Sequence, residues 1–166
     1  VNNGTAMLLG PALDPLRSSG ILKNMHTLHI RMQQHSKNAM YLALKMKEAG
    51  LKISYPGLPE HKGYETLKKQ MNPDFGGMLS IDLGTSERAS RFMEMMEMND
   101  VGYLAVSLGY FKTLFSNSGK STSSEVPEDV QHDMGLSEGL VRFSVGLDHD
   151  IEHTWKNIQK CLKMME

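Results

Sequence analysis

The sequence predicts an α/β fold in which a long helix leads into a mostly antiparallel sheet of about four strands, covered by helices on one face. An apolar stripe runs from Ile21 to Met46 in steps of four and three residues, the spacing of one helix face. Four later segments alternate apolar and polar side chains, as half-buried strands do. Since such strands keep one polar face, we expect helices to cover only the other face.

The long helix is predicted to begin at Asp14-Pro15, an N-cap followed by proline at the first helical position. Gly50 is the expected residue just after its end, and Gly20 is a weak point near its start. We therefore expect one long helix or two nearly continuous ones. His35 lies on the apolar stripe, where we interpret it as a packed histidine with a backbone partner.

The predicted strands and shorter helices alternate along the rest of the chain. The strands are expected at about 51–55, 78–83, 103–108 and 139–146. Helices are expected at about 62–71, 85–98 and 150–164, with a short one near 128–134. The Ser-rich segment 116–124 is predicted to be a loop, long enough to bind a ligand.

Composition limits the classes of partner. The 166 residues are 40% hydrophobic with a formal net charge of −1 and scattered charges, so we expect no nucleic-acid partner. No run of about 18 apolar residues occurs, so we expect no membrane partner and a cytoplasmic protein. The single cysteine, Cys161, excludes a disulfide framework. His149 and His153 are spaced for a metal, but no third ligand is near, so we expect helix capping and no metal site.

Arg142 is the candidate binding residue that the strand pattern singles out. It alternates with Val141 and Phe143, so its side chain is expected on the polar face. A guanidinium on a rigid strand is suited to binding a carboxylate through two hydrogen bonds. From periodicity alone, a solvated or salt-bridged surface arginine is the favoured interpretation of this position.

Six short motifs stand out along the chain: AVSLG at 105–109, ST at 121–122, GLSEGLVRFSVG at 135–146, TLHIRM at 27–32, YPGL at 55–58 and GGM at 76–78. In order and spacing they resemble the motifs of the pyridoxal-phosphate enzyme family of cysteine and methionine metabolism. The resemblance implies the C-terminal domain of a fold-type I pyridoxal-phosphate enzyme. It further implies that residues 1–50 are the end of a large cofactor domain and a linking helix, followed by a substrate domain at 51–166.

The resemblance also implies the site residues. By position in the motifs, Arg142 would bind the substrate α-carboxylate, and Ser107 and Thr122 would line the same pocket. Val106 stands where many cystathionine enzymes have glutamate, and an apolar residue suits a thioether side chain. The family's methionine gamma-lyase branch is therefore the most similar. Lys112 and Ser123 depart from the usual acidic residue and histidine, which indicates a plant-like branch.

The implied activity is γ-elimination on L-methionine by a pyridoxal 5'-phosphate lyase, assembled as a homotetramer of two dimers. Because the chain begins at Val1 and no lysine matches the cofactor-lysine context, we expect that lysine upstream and the chain alone to be inactive. Alternatives within the family are cystathionine gamma-synthase or lyase and O-acylhomoserine sulfhydrylase. An alternative of another class is a non-catalytic binding or interaction module on the same fold.

Overall fold

A computed structural model describes residues 10, 13–71, 73–118, 126–134 and 136–165. The chain divides into two compact units, Val1–Arg31 and Met32–Glu166. Helix α1 (Pro15–Met25) begins after the N-cap Asp14, whose side chain accepts a hydrogen bond from the Arg17 amide at 3.0 Å. Helix α2 spans Leu28–Glu48, and its residues from Met32 onward belong to the second unit.

The predicted long helix is two helices, and the break lies at residues 26–27 rather than at Gly20. Arg31 explains the position of the break. Its Nη2 donates to the Asn24 carbonyl oxygen at 2.7 Å, so it satisfies one of the carbonyls left unpaired at the end of α1. Gly20 remains inside α1 because one glycine costs a helix only about 1 kcal/mol relative to alanine.

The sheet lies in the second unit and has the order β1-β2-β5-β4-β3 among the described residues. Three neighbouring pairs are antiparallel, whereas β3 and β4 are parallel. The predicted fold class, an α/β domain with a mostly antiparallel sheet, is thus confirmed. The strands are β1 (Lys52–Ser54), β2 (Met78–Asp82), β3 (Tyr103–Leu104), β4 (Leu114–Asn117) and β5 (Leu140–Ser144).

The remaining helices confirm the predicted ones to within a few residues. They are α3 (Tyr64–Met71), α4 (Ser86–Met98), α5 (Glu128–Asp133) and α6 (Ile151–Lys163). The core joins α2, α4 and α6 to one face of the sheet; its fully enclosed members include Leu42, Met46, Phe92, Ile81, Phe143 and Ile158. His35 is 3% exposed on α2, as expected of a packed histidine.

Two sheet predictions differ from the structure. The third predicted strand, 103–108, is only two residues long in the structure. A further strand that was not predicted, β4, begins at Leu114. Ser116 and Asn117 therefore belong to a buried strand and not to the Ser-rich loop. The reason is that β4 pairs with β5, a strand distant in sequence. Local composition does not reveal such hydrogen-bond partners.

Among the helices that the structure describes, none combines the length and the apolar character needed to cross a bilayer.

Candidate functional site

Strand β5 lies at the centre of the sheet and carries Arg142 on the polar face. In the register, Arg142 is opposite Ser80 of β2 and opposite Ser116 of β4. Residues directly opposite each other point to the same face. The neighbours Val141 and Phe143 are fully buried on the core face. The alternation predicted for this strand is thus confirmed, and Arg142 is flanked by two small hydroxyl side chains.

Helix α2 fixes the backbone that follows β5. His35 Nδ1 donates to the Val145 carbonyl oxygen at 2.7 Å, since a carbonyl can only accept. Asn38 Nδ2 donates to the carbonyl oxygens of Gly146 and Asp148 at 3.0 and 2.9 Å. Both side chains are nearly inaccessible to solvent, where such hydrogen bonds hold a fixed geometry. The end of the central strand is therefore rigid.

The turn before β5 is fixed by Asp82, at the end of β2. Its Oδ1 accepts hydrogen bonds from Ser137 Oγ at 2.6 Å and from the Gly84 amide at 2.9 Å. Its Oδ2 accepts from Lys52 Nζ at 2.7 Å. Although burial acts to raise the pKa of Asp82, these hydrogen bonds together hold the pKa below its ordinary value. Both ends of β5 are thus anchored independently of Arg142.

Residues 105–113, here called the crossover loop, connect β3 to β4. Because these strands are parallel neighbours, the loop must return along the sheet before β4 begins. It does so against β5: the Gly109 amide donates to Ser144 Oγ at 3.1 Å. Beyond β5, the Leu147 amide donates to the Phe111 carbonyl oxygen at 2.7 Å. The loop therefore passes over the polar face of β4.

Gly146 permits the close approach of the crossover loop. A Cβ at this position would lie 2.5 Å from the Phe111 carbonyl oxygen and 2.6 Å from the Thr113 amide nitrogen. The Gly146 amide itself donates to Thr113 Oγ1 at 2.9 Å. Only a residue without a side chain fits between these backbones.

Arg142 contacts the crossover loop through one hydrogen bond. Its Nη2 donates to the Val106 carbonyl oxygen at 3.1 Å. Within the described residues, no carboxylate forms an ion pair with Arg142, although the side chain is half-buried. A half-buried guanidinium without an internal counter-ion is suited to an external anion.

Three of the four candidate residues lie together. Val106 is 54% exposed, and the peptide that joins it to Ser107 carries the oxygen bound by Arg142. Ser107 is exposed as well. Arg142, Val106 and Ser107 therefore share one edge of the polar face. The fourth candidate, Thr122, lies outside the described residues.

A small cleft of about 240 Å³ lies against the crossover loop at Leu108 and Gly109. Its wall includes Leu108 and Gly109 of the crossover loop, Ser144 of β5, Met78 of β2 and His35 of α2. Its lining is mostly apolar. A larger cleft of about 380 Å³ runs along β1, but neither Arg142 nor the crossover loop lines it. The smaller cleft is therefore the one that includes part of the crossover loop, although Arg142, Val106 and Ser107 do not line it.

Ser116 is a residue of this face that the sequence pattern did not indicate. It is 3% exposed, and its Oγ has no hydrogen-bond partner among the described residues. The Ser-rich composition around Ser116 is typical of a loop, so the sequence did not indicate that this residue belongs to β4. The preceding apolar pair Leu114-Phe115 was the available signal of a strand.

The described residues do not provide an anchor for pyridoxal phosphate. A cofactor lysine must be desolvated to act as a free amine. Of the lysines in the described ranges, none is buried. The donor set of this part of the chain fits a carboxylate, through Arg142, and not the cofactor.

Comparison with known proteins gives one consistent family. The chain is 38% identical to a methionine gamma-lyase of Arabidopsis thaliana, over 99% of the chain and 38% of that protein. It is 34% identical to a cystathionine beta-lyase of Lactococcus lactis, over 93% of the chain and 40% of that protein. The chain thus spans about two fifths of these relatives' length.

A solved structure agrees with these relatives. It is described as an O-acetylhomoserine (thiol)-lyase of Campylobacter jejuni containing N'-pyridoxyl-lysine-5'-monophosphate. The two structures superpose with a TM-score of 0.84 at 25% identity, over 93% of this chain and 37% of the other. Residues 2–163 match the family described as Cys/Met metabolism PLP-dependent enzyme. The chain therefore belongs to the family of pyridoxal-phosphate-dependent enzymes of cysteine and methionine metabolism.

Proposed function

We propose that this chain is part of a lyase that performs γ-elimination on L-methionine. The full-length enzyme would convert methionine and water to methanethiol, 2-oxobutanoate and ammonia. The observation that carries the proposal is Arg142, a half-buried guanidinium that forms no ion pair with a carboxylate among the described residues and is held beside Val106. The names of similar proteins, which include methionine gamma-lyases of two genera, support it.

In this proposal the chain binds and orients the substrate. Arg142 forms charge-assisted hydrogen bonds with the α-carboxylate, and these restrict the rotation of the substrate before reaction. Ser107 and Thr122 contribute hydroxyl groups to the same pocket. Pyridoxal phosphate, held by a part of the full-length enzyme outside this chain, supplies the ring that takes up electron density during elimination.

Val106 supports methionine over cystathionine as the substrate. Its side chain is exposed next to the atom that accepts the Arg142 hydrogen bond. A thioether gains from an apolar neighbour, whereas the distal ammonium of cystathionine would remain without a counter-ion there. O-acylhomoserine chemistry is the second candidate, because its substrate also lacks a distal charge and a similar structure is described with that activity.

We further propose that the full-length enzyme is a cytoplasmic homotetramer built as a dimer of dimers. The support is the resemblance to the family, which implies dimers that share active sites. Light scattering on the purified full-length enzyme tests the assembly: a mass of four subunits is expected, and a monomer at assay concentration would exclude it.

The substrate is tested by direct comparison in the full-length enzyme. Methionine, cystathionine and O-acetylhomoserine with sulfide are assayed separately, and the products are identified by mass spectrometry. We expect methanethiol and 2-oxobutanoate, with the highest kcat/KM for methionine. Enzyme stripped of pyridoxal phosphate is the control and should regain activity when the cofactor is restored. A higher kcat/KM for cystathionine would overturn the proposed substrate.

A further inference from the structure

Two buried polar atoms without partners lie on facing residues of β4 and β5. They are Ser116 Oγ and Arg142 Nε, each sequestered from solvent and each without a hydrogen-bond partner among the described residues. Ser116 and Arg142 are direct partners in the register. Side chains in such a pair share one face, with Cβ atoms about 4.5–5.5 Å apart. The two side chains that carry these atoms are therefore neighbours on one face of the sheet.

The two atoms are chemically complementary. The guanidinium Nε–H can only donate a hydrogen bond, and a serine hydroxyl oxygen can accept one. A buried polar atom without a partner destabilises a fold, and such atoms are usually paired directly or through an ordered water. A hydrogen bond from Nε to Ser116 Oγ, direct or through one water, satisfies both.

We propose that Ser116 is a positioning residue for Arg142, a role that rests on Arg142 binding the substrate carboxylate as argued above. Its hydroxyl accepts the Nε–H bond, while the Val106 carbonyl holds Nη2. The two acceptors, Ser116 Oγ on β4 and the Val106 carbonyl oxygen on the crossover loop, together fix the plane of the guanidinium. Because Nε is shielded from solvent, only the outer edge, with Nη1 and Nη2, faces an incoming carboxylate.

The structural consequence is preorganisation. An arginine side chain has several rotatable bonds, and a ligand that must order them binds more weakly. With Ser116 in place, the guanidinium is already oriented when the carboxylate arrives. Without the hydroxyl, the charge remains but its plane is free to turn about the single hydrogen bond to Val106.

Ser86 provides a matched control. Like Ser116 it is a serine less than 5% exposed, and its Oγ also has no partner among the described residues. It lies in the first turn of α4 instead of in the strand row that contains Arg142. Removing its hydroxyl measures the general effect of deleting a buried serine oxygen.

The experiment measures binding to the full-length holoenzyme by calorimetry. The ligands are L-norleucine, which has the α-carboxylate but no sulfur leaving group, and n-pentylamine, which lacks the carboxylate. We expect Ser116→Ala to raise the norleucine Kd about 10- to 150-fold, the range of one hydrogen bond to a charged group. The pentylamine Kd should stay unchanged, Ser86→Ala should change neither, and Ser116→Thr should restore norleucine binding.

A double variant separates this proposal from the proposed function. In the Arg142→Ala background, Ser116→Ala should weaken norleucine binding less than about twofold, because the residues act as one unit. If Arg142→Ala alone leaves norleucine binding unchanged, the carboxylate site itself is wrong. If Arg142→Ala weakens it and Ser116→Ala does not, or if Ser116→Ala weakens both ligands equally, only the positioning role is overturned. Ser116→Cys, similar in volume with a weak acceptor, replaces the alanine variant if that variant unfolds.

Discussion

The guanidinium of Arg142 donates a hydrogen bond to the carbonyl oxygen of Val106 across 36 residues of sequence. This bond joins the central strand to the crossover loop, so the residue proposed to bind the carboxylate touches the residue proposed to select the side chain. Because the acceptor is a backbone oxygen, replacing the Val106 side chain leaves this bond in place, whereas replacing Arg142 by alanine removes it.

Replacing Arg142 by alanine in the full-length enzyme should raise KM for methionine. Losing a charge-assisted bidentate contact costs about 2–4 kcal/mol, which corresponds to roughly 30- to 1000-fold. Arg142→Lys keeps the charge without the planar fork, so an intermediate KM is expected. Arg88→Ala removes an exposed arginine of α4 and serves as the control. An unchanged KM in the alanine variant would make Arg142 a structural residue only.

Replacing Val106 by glutamate should shift preference toward cystathionine. The new carboxylate would lie beside the position of the substrate side chain and complement the distal ammonium. We expect the ratio of kcat/KM for cystathionine to that for methionine to rise about tenfold, which is ~1.4 kcal/mol. Val106→Gln adds the same length without charge and should leave the ratio nearly unchanged. An equal effect of both variants would attribute the change to size.

The 166-residue chain alone should not hold pyridoxal phosphate covalently. The described lysines are at least partly exposed, and hydration favours the protonated amine, which is not a nucleophile. Incubation with the cofactor, dialysis and a visible spectrum should leave no bound chromophore, while the full-length enzyme under the same treatment should retain one. A stable band that maps to one lysine of this chain contradicts the expectation.

Asp148, which accepts a hydrogen bond from Thr113 at the end of the crossover loop, should make the free energy of unfolding depend on pH. Burial raises the pKa of this carboxyl above its ordinary value, although the hydrogen bond from Thr113 and the charges of Lys112 and His149 oppose the rise. A raised pKa favours the protonated form in the fold. The contribution of this protonation to the free energy of unfolding is fully present below the pKa of the unfolded state, about 3.9. It is lost as the pH rises through the pKa of the folded state.

Asp148→Asn should therefore raise Tm at pH 7, where the native carboxylate is ionised, and the gain should vanish near pH 3. Thermal unfolding followed by circular dichroism at both pH values measures it. Asp129→Asn is the control, because that carboxylate is exposed on α5 and is not among the groups that shift the pKa of Asp148. A gain that is equal at both pH values would show that ionisation of Asp148 is not its cause.

The orientation of Arg142 was predictable because strand alternation is a local property. Val141 and Phe143 are buried and Arg142 is on the opposite face, as their alternation indicated. Its contact with Val106 was not predictable from periodicity, since that contact depends on how the crossover loop returns over the sheet. The resemblance to the family assigned both segments to one site, but it did not predict the hydrogen bond that connects them.

The strand β4 escaped prediction for a different reason. Ser116, Asn117 and Ser118 have the composition of a loop, yet all three are buried. Ser116 and Asn117 pair with Arg142 and Val141 of β5, a strand that is not near in sequence. The Asn117 side chain, for instance, donates to the Glu138 carbonyl oxygen at 2.7 Å. Long-range pairing outweighed local propensity here.

The order of strands also has a consequence for biosynthesis. Strand β5 stands between β2 and β4 but is translated after both. Until residues 140–144 leave the ribosome, β2 and β4 each have an open edge that can pair with another chain. Nascent chains stalled before Leu140 should therefore be protease-sensitive and prone to aggregate, and protection should appear in both halves of the sheet together once β5 emerges.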